Sequence, residues 1–208
     1  MFGDLEEPRP ASMKRFADFM VAGCGIVLLS PLIGLLSLFV RLFLGSPVLF
    51  RQTRPGLGGE HFKLVKYRTM TDRCDQNGDL LPDAERLTRF GTFLRSTSLD
   101  ELPELWNVVR AEMSLVGPRP LLVEYLPRYS PIQARRHEVR PGLTGLAQVR
   151  GRNDLSWKEK FNLDVWYVDN HDSKLDWAII LWTFKMVITR RGVSPKDSAT
   201  VECFDGTN

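Results

Sequence analysis

The chain has few cysteines and few histidines for its 208 residues, and this scarcity excludes several kinds of site. Its three cysteines, Cys24, Cys74 and Cys203, are an odd number without CxxC spacing. Neither a disulfide framework nor a zinc site fits that pattern, and a reducing compartment is the natural inference. The three histidines are scattered, with no ligand-like spacing to each other or to a cysteine.

A large excess of charge of either sign is also missing. Twenty-eight basic and 25 acidic residues give a net charge of only +3. A dedicated nucleic-acid binder would concentrate a basic excess on one face or tail, so we expect no nucleic acid among the partners. A hydrophobic fraction of 43% with 25% charged residues is typical of a globular chain, with room for one domain and an anchor.

Only one long charge-free run is present, and it lies between Asp18 and Arg41. Its sequence, FMVAGCGIVLLSPLIGLLSLFV, is long enough for a transmembrane helix. Ser30-Pro31 falls near its midpoint, where the proline should bend or break the helix and the serine hydroxyl can bind a freed carbonyl. Each half would then be about 18 Å long, too short to cross a hydrocarbon core of about 30 Å.

Basic residues flank this run on both sides. Lys14 and Arg15 precede it, and Arg41, Arg51 and Arg54 follow it. Because cytoplasmic flanks of membrane segments are rich in basic residues, both ends are expected on the cytoplasmic side. The sequence therefore favours a re-entrant helix-break-helix that enters one leaflet and returns, over a transmembrane span or a buried core helix.

We expect two units, a re-entrant membrane helix over 1–45 and a cytosolic catalytic domain over 46–208. The domain is predicted to be α+β and mostly helical, with a β-hairpin around the PGLGG turn. On its second strand Lys66 and Arg68 would share a face, although lysine is also common on exposed edge strands. Further expectations are a polar loop leading to a short helix at 71–88, helices near 120–138, 156–170 and 175–190, and irregular loops at 114–120 and 141–153.

The segment 175–191 carries Trp177 and Trp182 among aliphatic and basic residues. It fits an amphipathic helix lying in the membrane interface with its aromatic residues at headgroup level. An ordinary helix that packs on the core fits equally well, so both interpretations stay open.

Two adjacent carboxylates, Asp100 and Glu101, lie within the stretch STSLDELPELWNV. Ser98 and Glu101 match a helix capping box. If Asp100 were the cap instead, Pro103 would fall in the first turn of the helix, where proline is tolerated. Neighbouring helical residues point about 100° apart, so the two carboxylates should have different roles. Asp100 at a helix N-terminus would be ionised, which suits a Mg²⁺ ligand or a nucleophile. A helix that ends near Val109 is expected to follow.

Two arginine-bearing loops are candidates for anion binding. Arg119 stands between two prolines, which stiffen the backbone and reduce the entropy lost on presenting a side chain. Its planar guanidinium suits phosphate oxygens. The stretch PGLTGLAQVRGRN has no standard phosphate-loop spacing. It carries Gly142, Gly145 and Gly151, with Gln148, Arg150 and Arg152 beside them.

Several motifs occur together and in order: KRFAD, LLSPL, RSTSLDELPEL, VGPRP and RPGLTGLAQVRGRN. With them the chain resembles the monotopic phosphoglycosyl transferases, also called the bacterial sugar transferase family, from about Lys14 to its end. It looks like the small, core-only members that lack a multi-span N-terminal region. Its tail, GVSPKDSATVECFDG, is similar to that of members acting on UDP-diacetylbacillosamine in protein glycosylation.

The resemblance implies a two-step reaction at the cytoplasmic face of the bacterial inner membrane. Asp100 would attack the β-phosphate of a UDP-sugar, release UMP and hold the phosphosugar covalently. Polyprenol (undecaprenyl) phosphate would then take the phosphosugar, giving a polyprenyl diphosphosugar. Glu101 would assist with proton handling or orientation, and Mg²⁺, bound by Asp100, would neutralise the diphosphate.

The resemblance also implies roles around this dyad. Arg95 and Arg119 would bind the phosphates, Ser30-Pro31 would form the re-entrant break, and Lys14 and Arg15 would contact phospholipid headgroups. We add as substrate-binding candidates, from the residues themselves, Lys66, Arg68, Gln148, Arg150 and Arg152.

Arg150 departs from the family, where an asparagine often follows AQV. Downstream glycosyltransferases are possible partners, and the expected setting is glycoconjugate assembly. The alternatives are the same chemistry on UDP-N-acetylhexosamine, UDP-glucose or UDP-galactose, or a non-catalytic membrane-surface module that binds anionic ligands.

Overall fold

A computed structural model describes residues 11–151, 154–189 and 203–206. The helices within these ranges are α1 (Ala11–Leu28), α2 (Ser30–Phe43), α3 (Asp83–Arg86), α4 (Arg89–Ser96), α5 (Glu104–Val109), α6 (Pro131–Ala134), α7 (Leu146–Arg150), α8 (Trp157–Asn170) and α9 (Ser173–Thr189). Short 3₁₀ segments cover Leu57–Gly59, Leu99–Glu101, Val123–Arg128 and Arg135–His137. The strands are β1 (Leu49–Pro55), β2 (His61–Tyr67), β3 (Ser114–Val116) and β4 (Gly142–Thr144). The predicted mostly helical α+β fold is confirmed.

The apolar run forms α1 and α2, which meet at Leu29. Together, Met13–Phe43 are long and apolar enough, by length and composition, to cross a membrane. Pro31 lies in the first turn of α2, where a missing backbone donor is tolerated. The Ser30 hydroxyl donates to the Val27 carbonyl at 2.8 Å, as expected for a serine at such a junction.

Both halves of this helical segment pack on the same globular part. Ala22 of α1 is buried with Leu105 and Val108 of α5. The buried side chains in α2 and directly after it are Leu36, Val40 and Leu44. They pack with Tyr67 at the end of β2 and with Leu94 of α4. By contrast, Val27 and Leu28 at the junction are 71% and 78% exposed. The apolar surface is therefore open at the junction, while both flanking halves are held by the domain.

Polar contacts fix the start of α1 to the domain. Asp18 is buried and accepts from the Ser114 hydroxyl at 2.6 Å. Lys14 donates to Asp176 at 2.5 Å, and the Arg15 guanidinium donates to the carbonyls of Val108 and Val109. The two side chains assigned to lipid headgroups thus have protein partners, and headgroup contact stays a prediction for both.

The predicted hairpin is confirmed as an antiparallel pair of β1 and β2. Asn107 of α5 is fully buried and extends the hydrogen bonding of β2. Its side-chain oxygen accepts from the Val65 amide at 3.1 Å, and its side-chain nitrogen donates to the Lys63 carbonyl at 2.8 Å. The hairpin is thereby fixed against α5, which follows the carboxylate pair.

The segments 114–120 and 141–153 were expected to be irregular, and this was wrong. They contain β3 and β4, which pair in parallel, and α7. Strands of three residues are too short to show a periodic pattern. Glycines allow the close contact: a Cβ on Gly142 would lie 2.1 Å from the Gly117 amide nitrogen.

The single helix expected near 120–138 is also wrong. The chain forms a 3₁₀ segment, the short helix α6 and another 3₁₀ turn. Pro127 lies inside the first piece, and Pro131 starts α6 after a Ser130 capping box. Proline interrupts the ladder of helical hydrogen bonds, which accounts for the division.

Helices α8 and α9 match their predicted positions. On α9, Ile179 is fully buried, whereas Trp177 and Trp182 are 57% and 41% exposed. One face therefore packs on the core, as the second interpretation expects. The other face presents aromatic side chains, and its position in a membrane interface stays a prediction.

A buried ion pair joins α8 to the 3₁₀ turn Arg135–His137. The Arg136 guanidinium donates to Asp164 at 2.8 and 3.0 Å, and both side chains are almost fully buried. The same guanidinium donates to the Arg119 carbonyl at 2.7 Å. Arg136 thus fixes the backbone at Arg119.

We expect Asp164→Ala to lower the free energy of unfolding by about 3–5 kcal/mol, since it leaves a buried arginine without its counter-ion. Thermal unfolding of the purified protein in detergent measures the loss. Asp169→Ala is the matched control, because Asp169 is on the same helix and pairs with Arg135 at the exposed surface. Equal losses for the two variants would contradict the account.

Candidate active site

The carboxylate pair lies in a short 3₁₀ turn and not at a helix cap. Ser98 has a left-handed backbone with φ of 54° and makes no side-chain cap. Asp100 and Glu101 lie inside Leu99–Glu101, and Pro103 occupies the position before α5. Both predicted caps, Ser98 and Asp100, are therefore wrong, and the helix begins at Glu104. A separate tight turn presents the two carboxylates ahead of the helix.

Glu101 is held by two cations from distant parts of the chain. Its Oε1 accepts from Arg119 Nη2 at 2.6 Å and from Lys66 Nζ at 3.2 Å. Lys66 comes from β2, and Arg119 comes from the loop after β3. Burial opposes ionisation, but the charges and hydrogen bonds of Arg119 and Lys66 outweigh it and hold the pKa of Glu101 below its usual value. Glu101 is therefore an anion with fixed partners.

Asp100 differs sharply from its neighbour. It is only 9% exposed, and no hydrogen bond or ion pair links its carboxylate to any other residue that the structure describes. Burial, with the adjacent Glu101 charge, raises the pKa of Asp100 to about 6, although Lys66, Arg119 and Arg95 act in the opposite direction. The carboxylate expected to be stabilised by a helix cap is in fact a destabilised anion, which suits a nucleophile.

A third carboxylate, Glu104, completes the cluster. It is 1% exposed, and its Oε1 lies 2.9 Å from Lys66 Nζ. Burial raises the pKa of Glu104 to about 7 despite this lysine. Glu104 was not predicted as a site residue, although its position three residues after Glu101 was a usable signal that the two side chains lie close together.

Of the predicted substrate-binding residues, the structure brings Lys66, Arg119 and Arg95 to the carboxylates. Arg95, near the end of α4, donates from Nε to the Thr69 hydroxyl at 3.0 Å, and its charge acts on Asp100. These three cations come from different elements and converge on one place. Such convergence suits an anionic substrate.

Arg68 does not join this cluster. Its guanidinium donates to the carbonyls of Ser46 and Met70 at 2.8 and 2.9 Å and pairs with Asp72. The face that it was expected to share with Lys66 is lost because β2 ends at Tyr67.

The two described substrate-binding candidates of the glycine-rich stretch, Gln148 and Arg150, also have partners elsewhere. Gln148 donates to the Leu143 carbonyl at 3.1 Å, and the Arg150 guanidinium lies over the Trp182 ring at 5.3 Å. Arg152 lies outside the described residues. Space beside the glycines is filled by protein: a Cβ on Gly145 would be 2.2 Å from the Gly117 carbonyl oxygen. These glycines allow chain segments to pack closely.

A magnesium ion fits this site only if the substrate supplies most of its ligands. The described residues contain no group of three or more histidine, cysteine, aspartate or glutamate side chains that could hold a metal ion. Mg²⁺ commonly binds through one or two carboxylates, water and substrate phosphates. Asp100 suits that use, since it is a carboxylate without a cationic partner among the described residues, whereas Glu101 and Glu104 face Lys66.

Comparison with known proteins identifies the type of site. Residues 9–190 match the bacterial sugar transferase family. The chain belongs to this family. The predicted family is thereby confirmed, and with it an enzyme of the phosphoglycosyl transferase type.

Three relatives cover most of this sugar transferase. The uncharacterized sugar transferase EpsL of Bacillus subtilis is 50% identical over 94% of the chain and 96% of its own length. The UDP-galactose-lipid carrier transferase of Erwinia amylovora is 41% identical over 86% of the chain but 41% of its own length. The UDP-glucose:undecaprenyl-phosphate glucose-1-phosphate transferase of Caulobacter vibrioides is 40% identical over 85% of the chain and 70% of its own length. The chain thus spans nearly all of EpsL and about two fifths of the Erwinia protein.

We expect Asp100 of this sugar transferase to titrate near pH 6, and Glu101→Gln to lower its pKa. The substitution removes a neighbouring negative charge, so the ionised form of Asp100 becomes easier to reach. Carbon-13 NMR of protein with labelled aspartate carboxyl groups measures the titration. Glu60→Gln, at an exposed hairpin turn, is the control and should change nothing. An upward shift in Glu101→Gln would be inconsistent with this account.

Proposed function

We propose that the protein transfers a hexose 1-phosphate from a UDP-hexose to polyprenol phosphate, giving a polyprenyl diphosphosugar and UMP. The observation that carries this proposal is the contrast within the dyad. Glu101 is fixed by Arg119 and Lys66, whereas Asp100 is a buried carboxylate with a raised pKa and no bonded cation among the described residues. The names of the Erwinia and Caulobacter relatives supply the substrate class.

In the first half-reaction, an Asp100 carboxylate oxygen attacks the β-phosphorus of the UDP-sugar. The new bond joins that oxygen to phosphorus, and the bond from the β-phosphorus to the bridging oxygen breaks. UMP leaves with the electron pair, and no proton has to move in this step. Phosphoryl transfer of this kind depends on positioning and charge neutralisation, which Arg119, Lys66 and Arg95 supply.

In the second half-reaction, a phosphate oxygen of polyprenol phosphate attacks the phosphorus held on Asp100. The bond between phosphorus and the Asp100 oxygen breaks, and the carboxylate is restored for the next cycle. Glu101 acts as a positioning residue, because it holds the two cations beside the reacting phosphate. Asp100 is the residue that would hold a Mg²⁺ ion, and the ion would supply further charge neutralisation.

The tail sequence and the relatives indicate different sugars. The tail sequence favours UDP-N,N′-diacetylbacillosamine, whereas two relatives have galactose or glucose in their names. The relatives align over at least 85% of this chain, whereas the bacillosamine prediction rests on the tail alone, so we propose a hexose. UMP release from a panel of UDP-sugars tests this. Turnover of the bacillosamine nucleotide alone would overturn the choice.

We expect Asp100→Asn to abolish UMP release, since the amide is not a nucleophile. The side chain keeps its shape, so the melting temperature and membrane association should stay close to those of the wild type. Asp169→Asn, on the exposed side of α8, is the control and should retain activity. Substantial UMP release by Asp100→Asn would remove the basis for a nucleophilic Asp100.

We also propose that the apolar segment is re-entrant and that the domain lies on the cytoplasmic face. The packing of both α1 and α2 on one domain supports this, because a segment held there at both halves does not place its ends on opposite sides. The exposed apolar junction at Val27 and Leu28 would then enter the lipid.

Cysteine labelling tests the topology. Single cysteines replacing Met13 or Leu42, both exposed, are introduced after removal of the native cysteines. We expect an impermeant thiol reagent to leave both sites unlabelled in spheroplasts and to label both in inverted vesicles. Labelling of one of the two sites in spheroplasts would show that the segment spans the membrane.

A further inference from the structure

A second arginine, Arg54, lies in the same region of the structure as Arg119. Arg54 is the penultimate residue of β1, and the next residue, Pro55, lines a small depression together with Arg119. In the sequence, Arg54 stands out only as a charge that flanks the apolar run. Its position beside Arg119 follows from the folding of the hairpin against the loop after β3, which no local pattern shows.

Arg54 is a cation without a bonded counter-ion. Its Nη2 donates to the neutral Gln52 side chain at 2.6 Å, its only hydrogen bond within the described part of the chain. Its Nε is buried and has no partner there. Glu104 and Glu124 act on it only through space, since no carboxylate that the structure describes forms an ion pair with it.

The positive charges of Arg54 and Arg119 therefore repel each other. Burial first, and the Arg119 charge second, lower the pKa of Arg54 to about 10, so it stays protonated at neutral pH. This repulsion is not compensated, because one of the two guanidinium groups has no bonded anion among the described residues. An anion between them would remove this repulsion.

Unused donors are available for such an anion. A guanidinium has five N–H donors. Arg119 uses Nη2 toward Glu101, and its side chain is still 40% exposed. Arg54 has a free Nε in addition. Phosphate oxygens match such forked donors in geometry and charge.

The site is distinct from the place where Asp100 reacts. The cations that act most strongly on Asp100 are Lys66, Arg119 and Arg95. Arg54 is not among them, and the charge that acts most strongly on Arg54 is that of Arg119. An anion shared by Arg54 and Arg119 would lie next to the attacked phosphate and would not be that phosphate.

We propose that Arg54 and Arg119 form a second anion site that binds a phosphate ester other than the one attacked by Asp100. This rests on the proposed function. Two phosphate esters of the reaction have the right chemistry: the α-phosphate of the nucleotide, which becomes the phosphate of UMP, and the phosphate of the lipid acceptor. We expect the nucleotide first, because its α-phosphate is covalently bonded to the β-phosphate that Asp100 attacks.

Arg54→Gln in the full chain, in detergent or nanodiscs, tests the site, with UMP as the probe. We expect isothermal titration to show at least tenfold weaker UMP binding. Arg51→Gln is the matched control, since Arg51 is an exposed residue of the same strand, and it should bind UMP like the wild type. Arg54→Lys should recover part of the affinity, because lysine keeps the charge and loses the fork.

Unfolding measurements separate ligand binding from a purely structural role. Because Arg54→Gln removes a repulsion, we expect the melting temperature without ligand to stay level or rise, and the stabilisation by UMP to shrink. A lower melting temperature with unchanged UMP affinity would show that Arg54 only supports the fold, and the proposal would fail. If Arg54→Gln does not fold, the comparison of Arg54→Lys with the wild type decides by the same readouts.

Kinetics then identify the source of the phosphate. Weaker UMP binding with an unchanged KM for polyprenol phosphate assigns the site to the nucleotide. Unchanged UMP binding with a KM for polyprenol phosphate raised at least tenfold assigns it to the lipid acceptor. If both are unchanged in folded Arg54→Gln, there is no second anion site. The UMP titration needs no turnover, so its result stands apart from the proposed reaction.

Discussion

The arrangement of the site depends on the ion pairs that Glu101 forms with Arg119 and Lys66. They join a turn before α5, the loop after β3 and the second hairpin strand at one point. They also decide what the neighbouring carboxylate can do. Because Glu101 accepts hydrogen bonds from both cations, Asp100 stays buried without a bonded counter-ion among the described residues, and the Glu101 charge raises its pKa further. One carboxylate therefore positions cations, and the other is available to react.

Much of the remaining packing holds these partners in place. The buried Asn107 side chain fixes β2, and with it Lys66, against α5. Arg136, itself paired with Asp164, holds the carbonyl of Arg119. Helix α1 is tied to the same region through Asp18 and Ser114, so the apolar segment and the turn that carries Asp100 belong to one packed unit.

The sequence was sufficient for features with a local or compositional cause. The interruption of the apolar helix next to Ser30-Pro31, the hairpin around PGLGG and the adjacency of Asp100 and Glu101 all follow from neighbouring residues. Features that arise from tertiary contact were missed. The left-handed Ser98 and the start of α5 at Glu104 depend on packing around the turn, and β3 and β4 are too short for a periodic signal. Likewise, the meeting of Arg54 with Arg119 requires two segments more than sixty residues apart.

The central claim is that Asp100, and neither of its acidic neighbours, carries the phosphosugar. Mass spectrometry of proteolytic fragments tests it most directly, after brief incubation with a UDP-sugar that is turned over and without lipid acceptor. The account predicts one phosphosugar adduct, mapped by fragmentation to Asp100, which disappears when polyprenol phosphate is added. An adduct on Glu101 or Glu104, or UMP release with no adduct on the protein, would contradict it.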